Sequence, residues 1–156
     1  ERLTEETGLS TFLGGREGDH SIHLHRTPGT ERVVVATPVG TRRPLIETSL
    51  GKALLLDDGL ASWQRLFGTR DPAEWEAEMQ RSALAGVALN IGPAPDFIRA
   101  AAAPVRDASG RIVAAISIAT VEQYRTIAQM DELAPIVRAA AEDISTDLGW
   151  SDGARR

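Results

Sequence analysis

The feature that most constrains the fold is a pair of apolar segments, residues 97–105 and 111–119, separated by only five residues. Both segments are rich in Ile, Val and Ala. In the short connection, Asp107 and Ser109 can accept hydrogen bonds from nearby backbone, and Gly110 tolerates a positive φ, so these residues are typical of a tight turn. The pattern predicts two neighbouring antiparallel strands joined as a hairpin.

The two faces of the second segment differ in side-chain size, because alternate residues of a strand point to opposite sides of a sheet. One face carries Ile112, Ala114, Ile116 and Ile118, and the other carries Val113, Ala115, Ser117 and Ala119. The second of these faces continues on the first segment with Ile98, Ala100 and Ala102. Such small side chains leave space above the sheet, and protein interiors hold few voids. We therefore expect either a closely packed helix or a small-molecule pocket there, and spacing alone favours the helix.

Length and composition predict one domain that needs no cofactor or metal. The chain has 156 residues, no cysteine and a formal charge of -5 at pH 7. A chain of this length can bury a sufficient core, and the lack of cysteine excludes disulfides, thiolate nucleophiles and cysteine-ligated zinc. Scattered Lys and Arg argue against direct binding of a nucleic-acid backbone. Neither a membrane span nor a signal peptide is indicated, so we expect a cytoplasmic protein with no membrane partner.

The N-terminal third predicts a helix end followed by short strands. Residues 1–8 are expected to form the end of a linker helix that stops at Gly8, because glycine commonly ends helices in the left-handed conformation. The strands predicted after it are residues 9–13, 20–26 and 33–37, with residues 14–19 as a loop.

All three histidines lie in the second of these strands. His23 and His25 are expected to share one face, whereas His20 points to the other. Two imidazoles on one face can chelate a metal, but no acidic or cysteine ligand pattern accompanies them, so we expect solvated strand positions. A Gly-x-Ser-x-Gly nucleophile elbow is also missing, so no serine-dependent catalysis is predicted.

The helix that follows is a candidate for binding a small anion. Thr48 or Ser49 can cap it, and its apolar face begins at Leu50. Backbone N–H groups in its first turn favour an anion, but every helix has such an end, so this feature alone favours an ordinary helix cap. The pair Gly51-Lys52 lacks the other residues of a phosphate-binding loop, so we expect no nucleotide and a solvated Lys52 side chain.

The rest of the chain predicts helices packed against further strand. In order these are a helix at 60–67, a helix at 72–85 capped by Asp71, a strand at 87–91, a loop at 92–96, a helical turn or loop at 124–130, a helix at 133–148 and a disordered tail at 151–156. The apolar stripe of the second helix is expected to be Trp75, Met79 and Ala83. In the last helix, Pro135 is compatible with a position near the first turn, and Gly149 ends it.

Three sequence blocks resemble, in their order, the C-terminal effector-binding domain of IclR-type bacterial transcriptional regulators. Residues 40–55 contain Gly-x-Arg-x-Pro-Leu followed by Gly-Lys-Ala-x-Leu, residues 102–117 contain Ala-Ala-Pro-Val-Arg-Asp before the hairpin turn, and residues 139–149 form the end of the closing helix. The resemblance implies an α/β (α+β), GAF-like or profilin-like domain at residues 9–150. Such a domain has an antiparallel sheet of about five to six strands with helices against it. It also implies an N-terminal winged helix-turn-helix domain, absent from this chain, that binds operator DNA.

The resemblance further implies a small-molecule effector pocket and a homodimer or tetramer. Motif matching assigns the ligand contacts to Ser49, Leu50, Asn90, Ala100, Ser117 and Ala119. Some relatives carry an acid, a cysteine and a serine at Asn90, Ala100 and Ala119, so this pocket is expected to be less polar. Family effectors are commonly small organic acids, and the substitutions favour a larger or more apolar one.

Three functions are compatible with these patterns. The favoured one is a non-catalytic, ligand-sensing domain of a DNA-binding regulator. A ligand-insensitive dimerisation module and a small enzyme on a GAF-like scaffold are the alternatives. Arg99 is a tempting carboxylate partner, but alternation points it away from Ala100, so we expect a structural or interfacial role for it.

Overall fold

The computed structural model of the chain describes residues 1–91 and 97–151. Its helices are α1 (Arg2–Thr7), α2 (Ser49–Leu54), α3 (Leu60–Phe67), α4 (Pro72–Ala85) and α5 (Ile127–Asp147), with a 3-10 turn at Leu45–Glu47. Its strands are β1 (Ser10–Glu17), β2 (His20–Thr27), β3 (Arg42–Pro44), β4 (Ala88–Asn90), β5 (Ile98–Arg106) and β6 (Ile112–Val121). They form one six-stranded antiparallel sheet in the order β3-β2-β1-β6-β5-β4, which confirms the predicted architecture. None of the described helices is both long and apolar enough to cross a membrane.

The central hairpin β5–β6 is confirmed, and its turn has the expected chemistry. The Asp107 N–H donates to the Arg111 carbonyl at 3.0 Å, and the Asp107 carboxylate accepts from the Ser109 N–H at 2.9 Å. A bulge shifts the register between Val105 and Arg106, so that Arg106 pairs with Ile112 and Val113 is skipped. Ile112 therefore packs on the face opposite to the predicted one, because the extra residue reverses the alternation.

Helices cover the two faces of the sheet differently. The face that carries Ile116 and Ile118 packs against Met130, Val137 and Ala141 of α5. On the other face, α2 lies against β5 and β6, where Ala102 and Ala115 belong to the same core cluster as Leu50 and Leu54. Close helix packing, the first alternative for the small-lined face, is thus present over one part of it.

The first hairpin is longer than predicted. Strand β1 runs through Gly14 and Gly15, which were expected in a loop, and only Gly18-Asp19 form the turn. A side chain at Gly14 would collide with Leu50, since an ideal Cβ there lies 3.0 Å from Leu50 Cγ. Glycine stands in this strand because α2 approaches it closely, so its usual association with loops was misleading.

The strand predicted at residues 33–37 is wrong, and the third strand is β3 instead. The Val-rich segment makes no ladder in the structure. Its Val35 side chain is buried against Phe12, Ala100 and Ala119, on the part of the small-lined sheet face that α2 leaves uncovered. β-branched residues favour packed surfaces as much as extended backbone, so their propensity alone did not distinguish a strand from a covering segment.

The helices are largely as predicted, with differences at three places. Helix α4 buries Trp75, Met79 and Ser82, whereas Ala83 is exposed. Helix α5 begins earlier than predicted, at a capping box in which Thr126 and Gln129 exchange hydrogen bonds of 2.8 and 3.2 Å. Pro135 consequently lies inside α5 rather than near its first turn. The predicted loop at 92–96 and most of the predicted tail lie outside the described residues.

Candidate functional site

All six side chains predicted to contact a ligand line one cavity of about 70 Å³ on the small-lined face of the sheet. The cavity lies beside the part of that face that α2 covers. Its other lining residues are Phe12, His23, Val35, Thr37, Arg43, Glu47, Thr48 and Ile98. The structure therefore brings the predicted residues together and adds neighbours that sequence analysis did not include.

Strand register explains the floor of the cavity. Ala100 lies opposite Ala119, and Ala102 lies opposite Ser117, so small side chains meet on one face of β5 and β6. Ser117 is 4% exposed and is the polar group of this floor. Larger side chains at these positions would fill the space that remains between the sheet and residues 33–37.

Helix α2 positions Ser49 and Leu50 at the edge of the cavity. Thr48 is its N-cap, and its hydroxyl accepts from the Gly51 N–H at 3.0 Å. Gly51 itself lies against the backbone of the 3-10 turn, because an ideal Cβ at this position would lie 2.6 Å from Leu45 Cα. The start of α2 is thus held by a side-chain cap and by close backbone contact with the 3-10 turn. Sequence analysis predicted the cap and did not predict the backbone contact.

His23 is the main lining residue that sequence analysis missed. Its side chain is 7% exposed, its ring packs edge-on against Phe12 at a centroid distance of 5.4 Å, and its Nδ1 lies 3.3 Å from the Thr41 carbonyl oxygen. A register shift in β2 pairs His23 with Gly14 and His25 with Leu13, which are neighbours on β1. The two histidines therefore lie on opposite faces, and the prediction that they share one is wrong.

The bulge also explains why no sequence signal identified His23. Simple alternation gave both histidines the same environment, but a bulge changes the face of every residue beyond it. His25 is exposed on the other side of the sheet. Within the described part of the chain, no group of three or more His, Cys, Asp or Glu side chains is arranged to hold a metal ion.

Burial gives His23 a testable effect on stability. Desolvation lowers the pKa of His23, and the Arg43 charge acts in the same direction, whereas the hydrogen bond from the ring to the Thr41 carbonyl raises it. As pH falls through the unfolded-state value of about 6.5, the unfolded chain takes up this proton before the folded chain does. The contribution of neutral His23 to the free energy of unfolding is therefore complete above the unfolded-state pKa and is lost as pH falls through the lower folded-state pKa.

We expect the thermal midpoint of the wild-type chain, relative to that of His23→Gln, to decrease between pH 7 and pH 5. Thermal melts across pH 5–8 measure this difference. His25→Gln, which changes the exposed histidine two residues later, is the matched control and should keep the wild-type pH profile. A His23→Gln profile parallel to that of the wild type would contradict the buried, neutral ring.

Arg43 and Glu47 provide the charges at the cavity. The Arg43 guanidinium lies 3.7 Å from the Glu47 carboxylate, and both side chains are about two-fifths exposed, at 43% and 39%. Arg43 pairs with Ser21 across β2 and β3, so it shares a sheet face with His23. Because β3 was not predicted as a strand, this neighbourhood was invisible from sequence.

Two further basic residues near the site have structural partners. Lys52, predicted to be solvated, is instead buried, with its Nζ 2.5 Å from Glu78 Oε1 on α4. Arg99 donates to the backbone carbonyl of Glu122 at 3.3 Å and to that of Arg125, away from the cavity. The structural role predicted for Arg99 is confirmed, and the prediction for Lys52 is wrong.

Comparison with known proteins supports the same architecture. The HTH-type transcriptional regulator XynR of Escherichia coli is 27% identical over 159 residues, which cover 95% of this chain and 63% of XynR. The Pca regulon regulatory protein of Pseudomonas putida is 26% identical and covers 95% of this chain and 55% of its own length. The crystal structure of Thermotoga maritima IclR superimposes with a TM-score of 0.82 at 20% identity, over 96% of this chain and 65% of that one.

The chain thus spans less than two thirds of the length of these curated relatives. A family model described as the C-terminal part of the bacterial transcriptional regulator IclR matches residues 1–146. Since this match covers nearly all of the chain, the protein belongs to the IclR family of bacterial transcriptional regulators and corresponds to their C-terminal domain.

Proposed function

We propose that this chain is the ligand-sensing and oligomerisation domain of a DNA-binding regulator, and that its effector is a small organic acid. The observation that carries the proposal is the convergence of six residues, chosen from sequence motifs alone, on one cavity. These residues come from α2 and from the strands β4, β5 and β6, which begin more than 30 positions after α2 ends. A cavity with an apolar floor and a few convergent polar groups is typical of a small-molecule site.

The cavity favours a small ligand with polar groups. Its volume of about 70 Å³ is well below the roughly 300–1,000 Å³ of pockets that bind drug-sized molecules. Arg43 supplies a positive charge for a carboxylate, and Ser49, Asn90 and Ser117 supply hydrogen-bonding groups. We therefore no longer favour the larger, more apolar acid expected from the substitutions in the sequence.

DNA binding is assigned to another part of the full-length protein. This chain carries a formal charge of -5, which does not suit a phosphate backbone. Curated relatives named as HTH-type regulators are longer than the segment that matches this chain. We propose that the domain acts in a cytoplasmic homodimer or tetramer, in which effector binding and operator binding are coupled by about 1–3 kcal/mol.

A thermal-melt screen of the chain tests the sensing proposal. The panel contains short carboxylic acids, aromatic acids, sugar acids and neutral sugars, and Ser117→Leu fills the cavity as a blocked control. A ligand at about 100 times its dissociation constant should stabilise the fold by about 2.7 kcal/mol and raise the midpoint by roughly 5–10 °C. A shift in the wild type that is absent from a folded Ser117→Leu variant is the expected result.

One observation favours the alternative of a ligand-insensitive dimerisation module. The cavity is small because the chain's own side chains occupy much of the space, with Leu50 packed tightly against Gly14. If no acid in the panel changes the midpoint, and the chain still forms a stable dimer in sedimentation experiments, this alternative replaces the sensing proposal.

A further inference from the structure

We propose that His23 makes the cavity selective for a hydroxy acid over the corresponding keto acid, by accepting a hydrogen bond from the ligand hydroxyl. This inference rests on the proposed function and deepens it, because it names the chemistry of the ligand. His23 lies outside the six motif-derived positions. Its ring is 7% exposed and lines the cavity, so a molecule bound there displaces water from it.

The hydrogen bond to Thr41 determines which ring nitrogen carries the proton. Nδ1 lies 3.3 Å from the Thr41 carbonyl oxygen, and a carbonyl oxygen can only accept. Nδ1 is therefore the N–H of the neutral ring, which leaves Nε2 as an acceptor. Burial lowers the pKa of His23, which keeps the ring neutral near pH 7. Within residues 1–91 and 97–151, the ring makes no other hydrogen bond.

Among the described residues, His23 Nε2 has no protein hydrogen-bond partner, and a ligand bound in the cavity would shield it from water, so it discriminates between ligand groups. A hydroxyl can donate to Nε2, whereas a keto oxygen can only accept and would meet the ring lone pair with its own. Leaving a buried polar group unpaired is costly, so the keto analogue is disfavoured. Phe12, which packs edge-on against the ring, has no polar hydrogen to donate to Nε2.

Arg43 and Glu47, the charged residues that line the cavity with His23, define the rest of the ligand. Arg43 shares the sheet face with His23, and its positive charge acts on the ring. It can therefore hold a ligand carboxylate in the cavity that His23 also lines. Glu47, 3.7 Å from Arg43, accepts hydrogen bonds and repels a second carboxylate. The site thus fits a short monocarboxylic acid whose hydroxyl lies near its carboxylate.

Matched pairs of acids with the same carbon skeleton test this selectivity in calorimetric titrations. The probes are lactate against pyruvate and 3-hydroxybutyrate against acetoacetate. In the wild-type chain we expect at least one hydroxy acid to bind about 10-fold or more tightly than its keto partner at pH 7.5. In His23→Gln, whose amide can both donate and accept, the ratio should fall to within about 3-fold. His25→Gln should keep the wild-type ratio.

A pH series separates recognition from a structural role of the ring. Protonation below the pKa of His23 converts Nε2 into a donor, so the preference for the hydroxy acid should shrink towards pH 5. The same series in Glu47→Gln reports any contribution from the neighbouring carboxylate. A hydroxy-to-keto ratio that does not change with pH would overturn the role of the Nε2 lone pair.

The possible failures can be told apart. If hydroxy and keto acids bind equally to the wild type and not to Ser117→Leu, the sensing proposal survives and the His23 inference is overturned. If neither member of either pair binds, the His23 inference fails for these acids, and the wider thermal-melt panel decides the fate of the sensing proposal.

Discussion

Replacing Gly51 by alanine is expected to destabilise the fold by about 3 kcal/mol or more and to remove the ligand response. In most helices this substitution stabilises by about 1 kcal/mol, because alanine has the higher helix propensity. Here the new Cβ would lie 2.6 and 2.7 Å from Leu45 Cα and carbonyl carbon, which are backbone atoms that cannot move alone. Overpacking against side chains costs typically 1–3 kcal/mol, and backbone offers less relief. The thermal midpoint should fall by roughly 6–12 °C.

Gly15→Ala is the matched control for Gly51→Ala. The Cβ at Gly15 would lie 3.2 Å from the end of the exposed Leu24 side chain, which can rotate away, and 4.0 Å from Ile22 Cγ2, an ordinary contact distance. The control should change the midpoint by no more than about 3 °C. Thermal melts of both variants, with and without the best acid from the screen, provide the measurement. A Gly51→Ala chain as stable as the control would show that α2 does not depend on its contact with the 3-10 turn.

The elements that local chemistry specifies were predictable from sequence. The β5–β6 hairpin follows from its apolar segments and from the side chain of Asp107, and α4 begins at Asp71 as its cap predicts. In these cases the determining interactions lie within a few residues of one another. Local propensity and hydrogen bonding then agree with the tertiary structure.

The errors arose where distant segments decide the structure. Gly14 stands in a strand because Leu50, 36 positions later in the sequence, takes the space of its side chain. Residues 33–37 cover the sheet instead of joining it, since Val35 finds its apolar contacts there. Neither contact is visible in local patterns, and both place residues at the cavity.

The candidate site likewise combines residues that sequence motifs identified with residues whose position depends on distant segments. Its floor and its α2 edge followed from motifs, because Ala100, Ser117 and Ala119 lie on regular parts of the hairpin. The placement of His23 and Arg43 in the site did not follow from motifs. The sheet face on which His23 lies depends on a bulge, and the face on which Arg43 lies depends on the pairing between β2 and β3. Alternation is reliable only where the register is unbroken.

Helix α2 also links the cavity to α4 through Lys52 and Glu78, and breaking this pair is expected to have the second large effect. The Lys52 side chain is 11% exposed and that of Glu78 is 32% exposed, with 2.5 Å between Nζ and Oε1. Glu78→Leu would leave a largely buried ammonium group without a counter-charge. Breaking a fully buried pair costs about 3–5 kcal/mol, so partial exposure makes about 2 kcal/mol the expected loss. The midpoint should fall by roughly 4–8 °C.

The stability lost when an ion pair is broken should depend on how exposed the two paired side chains are. The Arg138–Glu142 pair on α5 is also short, at 2.7 Å, but its side chains are 54% and 45% exposed. Glu142→Leu should therefore cost about 0.5 kcal/mol or less, because solvent screens the charges and replaces the partner. The double variant Lys52→Met, Glu78→Leu should recover most of the stability lost in Glu78→Leu, since apolar groups of similar size can replace a buried pair. Equal losses in Glu78→Leu and Glu142→Leu, or no recovery in the double variant, would show that burial of the Lys52 charge does not dominate at this position.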